Sequence, residues 1–185
     1  MAVLKVPVTS RDHIQGDESA PITLLEYGDY QCPHCGRAYP IVKALQKQYG
    51  KQLRFSFRHF PLVEIHPLAE STSEAAEYAG TQGLFWKMHD GIFENQDQLS
   101  LPLLMELAKL LGLSIVDVSN AIANHEFGER IRQDFLSGAR SGVNGTPTFF
   151  INDIRHDGPY EFEDLVSAIN TQLLLLKSTP EFRSY

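Results

Sequence analysis

Cysteine occurs twice in this chain of 185 residues, at Cys32 and Cys35, with only Pro33-His34 between them. No other feature restricts the fold so tightly. A disulfide stabilises mainly through the loop it closes, and here that loop would hold almost nothing. Two neighbouring cysteines are no framework for a domain of this length, so the pair reads as chemistry. Such chemistry needs the first cysteine at the start of a helix. There the free backbone N–H groups and the helix dipole favour a thiolate, with a thiol pKa that falls to roughly 3.5–7.5. The flanking residues supply this setting. Ile22 to Gly28 (ITLLEYG) is short, apolar and followed by Asp29, the pattern of a buried strand. From Pro33 to Tyr49 the residues Tyr39, Val42, Leu45, Gln46 and Tyr49 recur at helical spacing. Gly50 ends that helix and Pro40 kinks it.

The rest of the chain divides around a helical block. Leu53 to Phe60 alternates Leu53, Phe55 and Phe57 with Arg54, Ser56 and Arg58, a strand with one polar face. Residues from about 66 to 142 carry five helical segments, near Ala69–Gly80, Leu84–Phe93, Leu103–Leu111, Val116–Asn124 and Phe127–Ala139. Thr148 to Ile151 reads as a strand, Asn152-Asp153 as a turn and Ile154 to His156 as a short return strand. Phe162 to Leu176 closes as a helix. A further short strand is expected at Val3 to Val8. The order is β, α, β, a helical block, β, β, α, in a single domain spanning 1–185.

Charge and composition narrow the partners. Sixteen Lys and Arg stand against 23 Asp and Glu, a net charge of −7. No basic surplus exists to neutralise phosphates, so neither nucleic acid nor an anionic membrane is an expected partner. No apolar run approaches the ~20 residues that span a bilayer. The segment MAVLKVPVTSRDH lacks the apolar core of a signal peptide, which makes the expected location cytoplasmic, or periplasmic if a signal has been removed. A structural zinc site wants four ligands, and one CxxC with His59 and His66 far off does not provide them. His59, His66, His89, His125 and His156 have no spacing that makes a site. No metal is expected, and no cofactor, because two thiols carry the electrons themselves.

The run LLEYGDYQCPHC resembles the active-site segment of the DsbA-like thiol-disulfide oxidoreductases of the thioredoxin superfamily. Pro40 resembles the kinking proline of their active-site helix, Thr146-Pro147 in GTPTFFI resembles their cis-proline loop, and the helical block resembles their insertion. The resemblance implies an α/β thioredoxin fold (βαβ…ββα) with an all-helical insertion, about 66–142, between the second and third core strands. It implies that Cys32 attacks and Cys35 resolves the mixed disulfide, with Pro33 and His34 as the tuning dipeptide. His34 and the helix start would stabilise the Cys32 thiolate. Thr146 and Pro147 would hold extended substrate backbone, although Thr146 stands where the best-known disulfide-forming members carry valine. Glu26, six residues before Cys32 and sharing a strand face with Ile22 and Leu24, matches a buried acidic residue that would shuttle the Cys35 proton. The implied function is disulfide exchange with protein thiols, with a second protein recycling the dithiol. The alternatives are a cytosolic reductase, an enzyme of small thiols, or a redox-inert peptide-binding module.

Overall fold

The structure is a computed structural model and describes residues 2–178, so the ends of the expected 1–185 domain lie outside the described residues. Its central strand is β2 (Ile22–Gly28), built from the apolar ITLLEYG run. A connection through α1 (Pro33–Tyr49) leads to β3 (Leu53–His59), which lies parallel to β2 with Glu26 opposite Phe57 and Gly28 opposite His59. On the other side β2 pairs antiparallel with β4 (Thr148–Ile151), which turns at Asn152-Asp153 into β5 (Ile154–Arg155). A three-residue edge strand, β1 (His13–Gln15), runs antiparallel to β3. The order across the sheet is β1-β3-β2-β4-β5. Between β3 and β4 the chain passes through α2 (Ala69–Thr81), α3 (Phe85–Glu94), α4 (Leu101–Leu110), α5 (Ile115–Asn124) and α6 (Gly128–Arg140). The last helix, α7 (Phe162–Ser178), follows β5. The βαβ…ββα order and the helical insertion are those of a thioredoxin fold.

Both faces of the sheet are covered, and this decides what the strands bury. Ile22, Leu24, Phe55, Phe57, Phe149 and Ile151 belong to the larger core, shared with α1, α3 and α7. Leu25, Tyr27, Phe60 and Phe150 form a second core on the opposite face, against Val143 and Phe135. The polar face expected on β3 is therefore not solvated: Ser56 and Arg58 are buried. Arg58 tolerates burial because Asp12 takes its Nε at 2.6 Å and Val6, Pro7 and Tyr27 accept from the rest of the guanidinium. The expected strand at Val3 to Val8 is absent among the described residues, apart from a bridge between Val3 and Ile154. The backbone there is satisfied in other ways. Leu4 N–H donates to Asp153, Lys5 N–H donates to Ser141, and Val6 and Pro7 give their carbonyls to Arg58.

Candidate active site

The strand-to-helix junction places Cys32 as the N-cap of α1, with Pro33 at the first helical position, where its missing N–H costs nothing. Both cysteines are thiols, and Cys35 is 0% exposed. The two sulfurs have opposite chemistry. A hydrogen bond from the Cys35 thiol, helped by the backbone N–H groups of Cys35 and His34, outweighs burial and lowers the Cys32 pKa to about 5. Burial pushes Cys35 well above the ordinary thiol range, and its bond to Cys32 and the nearby Glu26 add to the shift. Asp29 N–H donates to the Cys35 sulfur at 3.4 Å. Glu26 is 2% exposed, and one of its carboxyl oxygens has no hydrogen-bond partner. Burial first, and the Cys32 thiolate second, raise its pKa to about 8.

Facing the thiols is the loop before β4, where the Thr146–Pro147 peptide bond is cis and the Thr146 carbonyl lies 3.4 Å from the Cys32 sulfur. The structure thus brings Cys32, Cys35, Glu26, Thr146 and Pro147 together. It directs the His34 ring elsewhere. His34 Nδ1 accepts from Arg37 at 2.7 Å and lies 3.1 Å from the Tyr160 hydroxyl. The part of His34 that serves the sulfur is its backbone N–H.

Several residues around the thiols are not evident from sequence spacing. The buried Asp29 carboxylate accepts from Gln31 N–H, Leu62 N–H and His66 Nδ1, and so ties the active-site loop to the segment that enters the insertion. Tyr30, two residues before Cys32, is fully buried and hydrogen-bonds to His89 of α3. Burial holds that imidazole well below its ordinary pKa, so it is neutral. Gln96, in the turn after α3, donates to the carbonyls of Tyr30 and Cys32. The signal for Asp29 and Tyr30 was their adjacency to the motif; Gln96, His66 and His89 carried none. Behind this layer His59, Glu77 and Asp134 offer donor atoms within 4.8 Å of one another, the spacing of an ion site. Glu77 there already accepts from His13 and His59, with Arg130 Nε at 3.6 Å, so protein donors occupy its oxygen.

The family model described as Thioredoxin matches residues 8–171. The chain belongs to the thioredoxin family. Solved structures share the arrangement at low identity. BdbD from Bacillus subtilis, in its oxidised form, superposes with a TM-score of 0.84 at 23% identity, over 94% of this chain and 98% of that one. Wolbachia pipientis alpha-DsbA1 gives 0.79 at 22% identity over 94% and 98%. A thioredoxin-like oxidoreductase from Silicibacter pomeroyi gives 0.77 at 23% identity over 92% and 95%. This thioredoxin-family unit also matches part of longer proteins. It is 41% identical over 179 residues to a protein of Salinispora tropica named Na(+)/H(+) antiporter NhaA 3, covering 96% of this chain and 27% of that protein. A protein of Salinispora arenicola named Na(+)/H(+) antiporter NhaA 1 gives 41% over 169 residues, 91% and 26%. The chain spans about a quarter of the length of these curated relatives.

Proposed function

We propose that the chain is a thiol-disulfide oxidoreductase that donates its Cys32–Cys35 disulfide to protein thiols. The observation that carries this is the opposed poise of the two sulfurs: Cys32 is stabilised as a thiolate at a helix start, while Cys35 is kept protonated by burial. A substrate thiolate attacks the Cys32 sulfur of the disulfide. As the mixed disulfide forms, the Cys32–Cys35 bond breaks and Cys35 leaves as a thiolate. Glu26 is protonated at neutral pH and is placed to give Cys35 a proton. A second substrate thiolate then attacks the substrate sulfur of the mixed disulfide and expels Cys32, a good leaving group because its thiol pKa is low. Two substrate thiols are oxidised to one disulfide and the enzyme takes up two electrons. A second protein must then reoxidise the dithiol. Thr146 and Pro147, facing the sulfurs, serve as the platform for the substrate backbone.

A stabilised thiolate favours the reduced protein, which makes its disulfide an oxidant. A cytosolic glutathione pool would hold such a pair reduced, so donor activity belongs to an oxidising compartment rather than to the cytoplasm. The transport named in the longer relatives is not assigned to this unit. About three-quarters of each lies outside the matched stretch, and among the described residues no helix is long and apolar enough to cross a membrane.

The test is the redox equilibrium of Cys32 and Cys35 against glutathione, read by alkylation and mass shift. The expected potential lies well above the cytosolic glutathione poise of about −220 to −260 mV. A value near about −270 mV would make the chain a reductase. Failure to form a reversible disulfide, or insulin reduction that survives Cys32→Ser, would overturn the assignment.

A further inference from the structure

We infer that Gln96 is a positioning residue for Cys32: the helical insertion sets the reactivity of the nucleophile through this one side chain. The inference rests on the exchange reaction proposed above. Gln96 opens a 3-10 turn, Gln96–Gln98, between α3 and α4, on the insertion and not on the βαβ…ββα core. Its amide nitrogen spends both hydrogens on the active-site loop, donating to Tyr30 O at 2.7 Å and to Cys32 O at 2.9 Å. These carbonyls belong to the residues on either side of Gln31, in the loop that leads to the sulfur. The Cys32 carbonyl also accepts from Gly36 N–H at 3.1 Å, the first bond of α1, so the amide and the helix hold the same oxygen.

Two consequences follow for the sulfur. The bonds fix the turn from Tyr30 to Cys32, and with it the extended N-cap backbone (φ −70°, ψ 120°) that lets His34 and Cys35 aim their N–H groups at the thiolate. The amide hydrogen also lies on the Cys32 carbonyl oxygen and so offsets the partial negative charge of the nucleophile's own peptide group.

Gly36 supplies a second, independent observation. It lies inside α1, one residue after the resolving cysteine, and a Cβ built there would collide with the Gln96 side-chain amide. Gly36 has no positive φ among the backbone angles that would demand glycine. In a helix interior alanine is the better residue, so the room made by glycine is accounted for by the amide that fills it. The insertion grips this end of α1 elsewhere too, through Tyr39 to Glu94 and Lys43 to Asp90, but those contacts reach side chains away from the sulfur.

The experiment measures the Cys32 thiol pKa in the full chain, by thiolate absorbance and by alkylation rate against pH. Neither needs a substrate. Gln96→Ala should raise the pKa by about half a unit to one unit, roughly a three- to tenfold loss of thiolate on the rising limb. The glutathione equilibrium should move toward the disulfide in the same sense. Gln96→Glu, which turns a donor into a charge facing two carbonyls, should raise it further. Gln98→Ala, an exposed neighbour in the same turn, should leave it unchanged. Gly36→Ala should raise the pKa by pushing the amide away, and should add nothing in the Gln96→Ala background. A purely structural role for these residues predicts another pattern: lowered melting temperatures in Gln96→Ala and Gly36→Ala, with the thiol unshifted in both. A low Cys32 pKa that stays low in Gln96→Ala overturns this inference alone. An ordinary thiol pKa in the wild type overturns the proposed function with it.

Discussion

At the scale of single residues, Glu26 carries the largest conflict between burial and charge near the thiols. Its place on β2 opposite Phe57 and Phe149 puts a carboxyl in the middle of the sheet. With its pKa raised to about 8 from an ordinary 4.5, it stays neutral when folded but ionises when unfolded through the range between those values. The unfolded state is therefore favoured increasingly as pH rises from 4.5 to 8, and the native protein loses stability over that window. Glu26→Gln removes the ionisation and keeps the shape. The variant should be more stable than wild type by on the order of 3–4 kcal/mol at pH 8 and by under about 1 kcal/mol at pH 5. Urea unfolding of the reduced proteins at the two pH values checks this. An equal gain at both would mean that the carboxyl does not titrate in that window. The same variant should form mixed disulfides more slowly, because the departing Cys35 loses its proton donor. The place of Glu26 beside the cysteines was legible because it lies six residues before Cys32 on the strand that leads into their helix, while the roles expected of all three came from the family resemblance. The orientation of His34 was not, because Tyr160, which faces its ring, lies 126 residues further on.

At the scale of elements, local pattern and local structure agree wherever a segment is long. Apolar spacing marked all seven helices to within two residues at each end, because packed faces at 3.6-residue period leave a repeated signal. Of the short pieces, β4, its turn and β5 were read to within one residue, but those near the N-terminus were not. β1 has three residues, all half-buried, and its place is fixed by pairing to β3 and by His13 stacking on Phe85, neither of which leaves a local pattern. Val3 to Val8 has the composition of a strand, yet its carbonyls go to Arg58. Close packing between elements is equally hidden. Gly138 of α6 lies against the sheet, and a Cβ there would meet the rings of Phe60 and Tyr27 at 2.8 and 2.9 Å. Those rings are themselves held, Phe60 by stacking on Phe135 and Tyr27 by an edge contact with Phe150. Helix propensity alone favours Gly138→Ala by about 1 kcal/mol, whereas overpacking costs about 1–3 kcal/mol. The variant should lower the urea midpoint, and a raised midpoint would show that α6 can move away from the sheet freely.

At the scale of the whole molecule, the insertion is joined to the sheet by buried charge as well as by apolar contact. Glu77 on α2 receives His13 from β1 at 2.9 Å and His59 from β3 at 2.8 Å, with Arg130 of α6 at 3.6 Å. Asp134 of α6 accepts the backbone N–H of His59. Four elements thus meet at one carboxylate. The residues are spread from position 13 to 134, so no window of sequence contains the cluster, and five histidines without helical spacing gave no sign of it. Burial alone would raise the Glu77 pKa, but the hydrogen bonds from His13 and His59 prevail and hold it far below the ordinary 4.5. A carboxylate of this kind contributes stability above its unfolded pKa and loses that contribution as the medium becomes more acid. Glu77→Ala leaves two imidazoles and a guanidinium facing a gap, and should cost about 3–5 kcal/mol at pH 7. The deficit should shrink as pH falls below about 4.5, where the unfolded wild type takes up the proton that the folded protein refuses. Urea unfolding of both proteins from pH 7 to pH 3 reads the difference. A deficit that stays constant across that range would assign Glu77 to packing alone, and the joint between insertion and sheet to its apolar contacts.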